Sequence, residues 1–153
     1  MTIKIIDHTL VVTTPRTQPL ETSPVLFINL PVKDLAASRH FFTQLGFAFN
    51  DQFADENMEA MILGQDAFVL LLTEEYFVTY TDKKIANADS VEAILAVGVE
   101  SRQRVDEIAE TATAHGGRPS GHTKDLGFVY TRGFIDPDGH LWEATHMDYS
   151  AAQ

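Results

Sequence analysis

The segments FINLPVKD (27–34) and ILAVGVES (94–101) align without a gap, at an offset of 94 − 27 = 67 residues. Each is an apolar run that ends in a residue with a short polar side chain, Asp34 or Ser101, and apolar residues at helical spacing follow. The pattern predicts a strand and then a helix capped at its N-terminus, twice in the chain. Such an internal repeat constrains the fold more than any single element does.

Each predicted helix is followed by short apolar stretches that are typical of strands. Gly46 and Gly116 end the two helices, because glycine accepts the backbone conformation that follows a helix. We expect three strands after each helix, near 47–53, 59–63 and 67–73, and near 118–122, 128–135 and 140–147. A short helix over 74–80 and a polar connection over 82–89 lie between the halves. The chain is therefore predicted to be α+β, with two βαβββ units forming two mixed sheets, each with a helix on one face.

The first 24 residues form a separate segment. The stretch Ile3–Thr14 alternates loosely and is rich in β-branched residues, which predicts one strand, and Pro15, Pro19 and Pro24 favour a linker after it. We expect this strand to pair with the domain or with a second subunit. The predicted organisation is an extension, a domain of two repeats and a tail, at 1–24, 25–148 (repeats about 25–82 and 91–148) and 149–153.

The composition argues against several classes of protein. The chain has 11 Lys and Arg against 22 Asp and Glu, a net charge of −11, whereas nucleic-acid binding needs clustered cations. The absence of Cys excludes disulfides, Cys-ligated metal sites and a thiol nucleophile. No stretch approaches the ~20 apolar residues of a membrane span, and the N-terminus lacks the apolar region of a signal peptide. We therefore expect a cytoplasmic protein with no nucleic-acid or membrane partner.

The final hairpin, GFIDPDGHLWEATHMD (133–148), carries the clearest local signal. Asp136, Pro137 and Gly139 suit a type I turn followed by a left-handed glycine, which makes a three-residue loop with a bulge. A D-x-D-G string also occurs in calcium-binding loops, but the downstream ligands that such a loop requires are absent.

This turn sets the register of the last two strands. With the bulge, Gly133 faces Glu143 and Phe134 faces Trp142, so the aromatic pair lies on the helix side and open space adjoins a carboxylate on the other side. Arg132 then points toward the helix layer, to an acidic cap such as the one that begins the first helix. A tight turn without the bulge would instead place Arg132 opposite Glu143, as an ion pair.

The paired units, the hairpin and the run V-K-D-L-x-x-S-x-x-F-F-x-x-L-G-F (32–47) together resemble the vicinal oxygen chelate superfamily. That group includes glyoxalase I, extradiol dioxygenases, fosfomycin-modifying enzymes and bleomycin-binding proteins. The resemblance covers residues 25–148. It implies curved sheets that wrap a cavity, and a homodimer. It does not select an activity, because one fold carries many functions.

The resemblance also implies metal ligands at four strand positions, one on the first and one on the last strand of each unit. By pattern these fall at Phe27, Leu71, Ile94 and Glu143. Only Glu143 can bind a metal, because the three apolar side chains supply neither oxygen nor nitrogen. No cofactor is therefore expected, and a divalent metal held through Glu143 is the disfavoured alternative.

We predict a ligand site built from these positions and from polar neighbours on the same face. Its residues are Phe27, Asn29, Leu71, Thr73, Ile94, Thr131, Gly133, Glu143 and Thr145. The favoured function is metal-independent binding of a small organic, in one version cationic, molecule with Glu143 as the charged anchor. The alternative is a lyase or dioxygenase-type enzyme, with Glu143 as metal ligand or general base. A third hypothesis is an interaction module whose cavity is filled by side chains.

Overall fold

The structure is a computed structural model that describes residues 2–6, 9–13, 24–148 and 150. The helices in this part of the chain are α1 (Leu35–Gln44), α2 (Glu74–Phe77) and α3 (Arg102–Ala114). The strands are β1 (Thr2–Ile6), β2 (Thr9–Thr13), β3 (Leu26–Val32), β4 (Ala48–Phe49), β5 (Met58–Gly64), β6 (Ala67–Thr73), β7 (Ile94–Gly98), β8 (Arg118–Asp125), β9 (Val129–Ile135) and β10 (Leu141–Met147). None of these helices is long and apolar enough to span a membrane.

The N-terminal segment forms two strands where the sequence predicted one. β1 and β2 pair antiparallel, with Thr2 opposite Thr13 and Ile6 opposite Thr9. β1 therefore has its pairing partner in β2, and the single-strand prediction was wrong. Most of the predicted linker and of the C-terminal tail lies outside the described residues.

Residues 26–147 fold as two βαβββ units, which confirms the predicted fold class. The first unit forms a sheet of order β3-β6-β5-β4 and the second a sheet of order β7-β10-β9-β8. In each unit the first strand pairs parallel to the last, and the remaining pairs are antiparallel. The two sheets are curved and do not close into a barrel.

Local side chains explain where α1 and α3 begin. The carboxylate of Asp34 accepts the backbone N–H of Ala37 at 3.0 Å, and the hydroxyl of Ser101 accepts that of Arg104 at 3.1 Å. Gly46 follows α1 with φ +91°, a conformation that a side chain would strain. The predicted helices are therefore confirmed together with their caps.

The strand predicted over 47–53 is much shorter than expected. Only Ala48–Phe49 is extended, and a 3₁₀ turn over Asp51–Phe53 follows. The side chain of Asn50 accepts the backbone N–H of Gln52 at 3.0 Å, which stabilises the turn in competition with the strand.

Helices α1 and α3 pack on the two sheets and share one hydrophobic core with them. Phe42 of α1 contacts Trp142 of β10 with ring centroids 5.1 Å apart, and Phe41 contacts Phe134 at 6.3 Å. The core cluster combines buried residues of α1, α3 and both sheets. Each sheet therefore turns one face toward this core and has another that neither α1 nor α3 covers, which we call its open face.

The register of the final hairpin is the bulged one. Gly133 pairs with Glu143 and Phe134 with Trp142, and the Phe134 and Trp142 rings stack at 6.3 Å with an interplanar angle of 6°. Arg132 lies opposite Ala144, so the alternative register was wrong.

Arg132 points toward the helix layer as predicted, but its partners lie on α3. Its guanidinium donates to Asp106 at 2.8 Å and to Glu110 at 3.3 Å. These acids are one helical turn apart on the helix that packs on β9, whereas the predicted acidic cap lies on α1.

Candidate ligand-binding site

The open face of the second sheet forms a groove of about 550 Å³. We name it the second-sheet groove, and its lining residues are Ala96, Gly98, Val99, Lys124, Val129, Thr131, Glu143, Thr145 and Met147. Three of the predicted site residues, Thr131, Glu143 and Thr145, therefore lie together in it. Ile94 precedes Ala96 by two positions on β7, so it lies on the same face, and 56% of its surface is exposed.

Glu143 occupies the middle of this face. Its neighbours across the sheet are Gly133 on β9 and Ala96 on β7, both without a long side chain. Its side chain is half-buried, and it has no hydrogen-bond or ion-pair partner among residues 24–148. The carboxylate is therefore free to accept a donor from a ligand.

Two threonines form a second polar element in the groove. Thr131 and Thr145 pair across the sheet and are only 6% and 7% exposed. Their hydroxyl oxygens lie 2.9 Å apart, so one hydroxyl donates to the other. The pair uses one of its two O–H groups internally, which leaves one donor for a bound molecule.

Gly133 does not provide the open space that the sequence suggested. A Cβ built at Gly133 would collide with the side chain of Ser120 on β8, so this serine already fills the place beside the glycine. The opposite edge of the groove is open instead, because a Cβ at Gly98 would meet nothing within 4 Å. The expectation of a cavity at Gly133 was therefore wrong, and the space lies over β7.

On the first sheet, two predicted residues face the open side. Phe27 is 55% exposed and stacks on Phe68 of β6, with ring centroids 5.5 Å apart and an interplanar angle of 20°. Asn29 lies two residues further along β3 and is exposed. This open face is thus mainly apolar.

Leu71 and Thr73 lie on the other face, which corrects their predicted place in the site. Leu71 is 0% exposed and belongs to the core cluster, where it pairs with Leu30 of β3. Thr73 pairs with the buried Val32, and its hydroxyl caps α2 by accepting the N–H of Tyr76 at 3.3 Å. Neither residue can line the open face.

The pairing of the strands identifies the true counterpart of Glu143. Glu143 lies opposite Ala96, and the residue 67 positions before Ala96 is Asn29, which lies opposite Leu70. Leu70, and not Leu71, is therefore the residue of the first unit that corresponds to Glu143.

The corrected set of metal positions does not fit a metal ion. Phe27, Leu70 and Ile94 are hydrocarbon side chains, so Glu143 would be a single protein ligand where divalent cations need several. Among the described residues, no group of three His, Cys, Asp or Glu side chains is close enough to hold a metal.

Sequence reasoning placed Asp136 in the final turn but missed that its carboxylate is buried and organises that turn. Its Oδ1 accepts the backbone N–H groups of Asp138, Gly139 and His140 at 2.9 to 3.0 Å, and its Oδ2 accepts the indole N–H of Trp142 at 3.0 Å. Burial raises the pKa of Asp136, against the opposing effects of His140 and Trp142. An Asp that begins a turn was the available signal, because such side chains accept backbone N–H groups two and three residues on.

His140 was missed as well, since its partners are distant in sequence. Its Nε2 lies 2.8 Å from the carbonyl oxygen of Pro31, and its Nδ1 lies 3.0 Å from a carboxylate oxygen of Glu92. Both partners are acceptors, so both ring nitrogens must carry a proton. Burial lowers the pKa of His140, but Asp136, Pro31 and Glu92 outweigh this effect and raise it. The imidazolium therefore ties the second unit to the first.

The family model of the Glyoxalase/Bleomycin resistance protein/Dioxygenase superfamily matches residues 24–144. The chain belongs to this superfamily. The resemblance found in the sequence is thereby confirmed, over a match that includes both units. Among curated proteins, none is similar enough in sequence to count as a match.

Solved structures share the fold of this superfamily member. A hypothetical protein of S. aureus, SA1046, has a TM-score of 0.70 at 24% identity, over 83% of this chain and 94% of that one. A glyoxalase-related enzyme from Fulvimarina pelagi has a TM-score of 0.68 at 20% identity, over 83% and 88%. The fosfomycin resistance protein FosX from Mesorhizobium loti has a TM-score of 0.61 at 14% identity, over 87% and 98%. At these identities the likeness shows the fold alone.

Proposed function

We propose that this protein binds a small organic molecule in the second-sheet groove without a metal ion, with Glu143 as the charged anchor. The observation that carries the proposal is the state of the Glu143 carboxylate, which is half-buried and unpartnered in the groove. The other acids of residues 24–148 that are not exposed all have side-chain partners, and they are Glu59, Asp106, Asp136 and Asp138. Glu143 therefore stands out as a half-buried carboxylate without one. A carboxylate left free in this way selects a ligand that donates hydrogen bonds or carries positive charge.

The charge of the chain supports a cationic or amphipathic ligand. The net charge of −11 raises the local concentration of cations, which speeds their capture. Lys124 is the one cation of the groove lining and lies on β8, two strands away from β10, a distance of about 10 Å. A zwitterionic ligand could place its cationic end on Glu143 and its anionic end toward Lys124.

A second copy of the chain completes the groove in this proposal. The open faces of both sheets turn away from the shared core, so one chain cannot fold one open face over the other. Phe27 and Ile94 are exposed on the open faces of the first and the second sheet, and the partner would cover them, since large apolar side chains in solvent are typical of interfaces. The family resemblance independently predicts a homodimer.

The test compares Glu143→Gln with the parent protein, using phenethylammonium and the neutral 2-phenylethanol as probes. We expect the substitution to weaken phenethylammonium binding about tenfold or more, because a hydrogen bond to a charged group contributes about 1.5–3 kcal/mol. Affinity for 2-phenylethanol should change much less, because the amide keeps the shape of the side chain. Isothermal titration calorimetry measures both, and sedimentation velocity on the same samples should show a dimer.

Glu75→Gln is the matched control, because it removes one negative charge from an exposed residue outside the groove. It should leave both affinities unchanged. Equal binding of phenethylammonium by the parent protein and Glu143→Gln would overturn the role of Glu143. A monomer in sedimentation would overturn closure of the groove by a second copy.

A further inference from the structure

A second cavity, of about 630 Å³, lies where the two units meet. We name it the junction pocket. It lies between the end of β3, the segment 74–92 that connects the units, and the turn between β9 and β10. Its apolar lining includes Pro31, Phe77 and Ile85, and its cations are Lys33, Lys83 and Lys84. It shares no residue with the second-sheet groove.

The cations of this pocket differ from most others in the described chain. Residues 24–148 contain nine Lys and Arg side chains, of which Arg39, Arg102, Arg104 and Arg132 form ion pairs. The remaining five have no carboxylate partner there, and they are Lys33, Lys83, Lys84, Arg118 and Lys124. Three of these five line the junction pocket. In a chain with twice as many acids as bases, this concentration of unpaired positive charge requires an explanation.

Two of the three carboxylates in the lining are already bonded to other groups. Glu92 lies 3.0 Å from the imidazolium of His140. Asp138 accepts the backbone N–H of Lys33 at 2.9 Å and the hydroxyl of Ser38 at 3.0 Å. Glu74 is the one acid of the lining without such a partner in the described residues. The lining thus carries three lysines without a carboxylate partner, while two of its three carboxylates are already bonded to other groups.

The connecting segment adds unused backbone donors. The N–H groups of residues 84–86 have no acceptor among the described residues, whereas those of Lys83 and Asp89 are bonded to the side chains of Thr81 and Asn87. Free N–H groups beside lysines are the donors that an anionic group requires. The half-buried Phe77 and Ile85 offer an apolar surface beside them.

We propose that the junction pocket binds a small organic anion, a carboxylate or a phosphate monoester carried on an apolar body. The anionic group contacts Lys33, Lys83 and Lys84, and the body packs on Pro31, Phe77 and Ile85. This site is separate from the second-sheet groove, so either proposal can be correct without the other. Because the pocket is lined by residues of both units and by the segment that joins them, its occupant would contact all three.

The test is a two-dimensional ¹H–¹⁵N NMR titration of the full chain with benzoate, phenyl phosphate and the neutral benzamide. We expect both anions to shift the amide signals of Leu30, Phe77, Ile85 and Ser90, and benzamide to shift them far less. The double variant Lys83→Gln/Lys84→Gln should weaken binding of both anions at least fivefold, and raising the salt concentration should weaken their binding further. Stronger binding of phenyl phosphate would assign the site to phosphate esters, and stronger binding of benzoate would assign it to carboxylates.

Arg118→Glu is the matched control, because it changes the net charge by the same two units at an unpaired cation outside the pocket. It should change the anion affinities less than twofold. Three results would overturn the proposal. These are shifts confined to the second-sheet groove, equal weakening by the two variants, and no shift up to about 10 mM, which is weaker than a fragment-sized ligand should bind.

Discussion

The two units share one order of strands and helices, but only the second ends in a turn that holds the other unit. In that turn Asp138 accepts from Lys33 and Ser38, and His140 bonds to the carbonyl of Pro31. The corresponding turn of the first unit, between β5 and β6, makes a backbone bond from Leu26 to Asp66 within its own unit. The repeated pattern thus determines each sheet, whereas the side chains of one turn add polar contacts between the units to those of the shared core.

The open faces differ in the same asymmetric way. The position that is Glu143 in the second unit is Leu70 in the first, where Phe27 and Phe68 stack nearby. The same βαβββ pattern therefore has an apolar open face on the first sheet and a polar groove on the second. The difference teaches that the two units repeat the backbone pattern but not the polar groups of the open faces.

The largest effect should come from a substitution that tests which face of β6 is buried. Leu71→Ala should lower the free energy of unfolding by about 3 kcal/mol or more, because it opens a cavity in the shared core. Leu70→Ala removes the same atoms from the half-buried open face and should cost about 1 kcal/mol. Urea unfolding followed by circular dichroism measures both. Equal losses would contradict the assignment of the two faces.

A smaller loss should follow from disrupting the turn of the second unit. Asp136→Ala removes the acceptor of three backbone N–H groups and of the Trp142 indole, so we expect a loss of about 2–3 kcal/mol. Asp66→Ala, in the matching turn of the first unit, removes an exposed carboxylate without a side-chain partner in the described residues and should cost less than about 0.5 kcal/mol. Chemical denaturation again gives both values. A loss at Asp66 as large as that at Asp136 would remove the distinction between the turns.

Residues with local determinants could be placed from the sequence. The D-P-D-G turn fixed the register of Gly133 and Glu143, and the caps at Asp34 and Ser101 fixed the helix starts. The face of Leu71 could not be read, because 68–72 is apolar at every position and its alternation carries no information.

Long-range contacts could not be predicted from the sequence, for a different reason. Ser120 fills the space at Gly133 from a strand whose pairing shifts register between Pro119 and Thr123. His140 meets Pro31 across 109 positions. Neither contact leaves a periodic signal in the chain, since each depends on how whole elements pack.

The smallest effect should be a dependence of stability on pH that belongs to His140. Its pKa is raised in the folded protein, where Glu92, Asp136 and the Pro31 carbonyl surround the ring. Because this pKa is raised, the contribution of His140 to stability is complete at pH values below the ordinary histidine pKa of about 6.5. The contribution is lost as the pH rises through the pKa of His140 in the folded protein. Urea unfolding between about pH 5.5 and pH 9 should therefore show a decline that His140→Gln lacks.

His115→Gln is the control for this measurement, because His115 is exposed and bonds only to the carbonyl of Thr111 within its own helix end. That variant should keep the decline of the parent protein. If His140→Gln also kept it, the imidazolium could not be the group that joins the units. The contact between His140 and Pro31 would then be a neutral hydrogen bond, and the asymmetry between the two turns would rest on Asp136 and Asp138 alone.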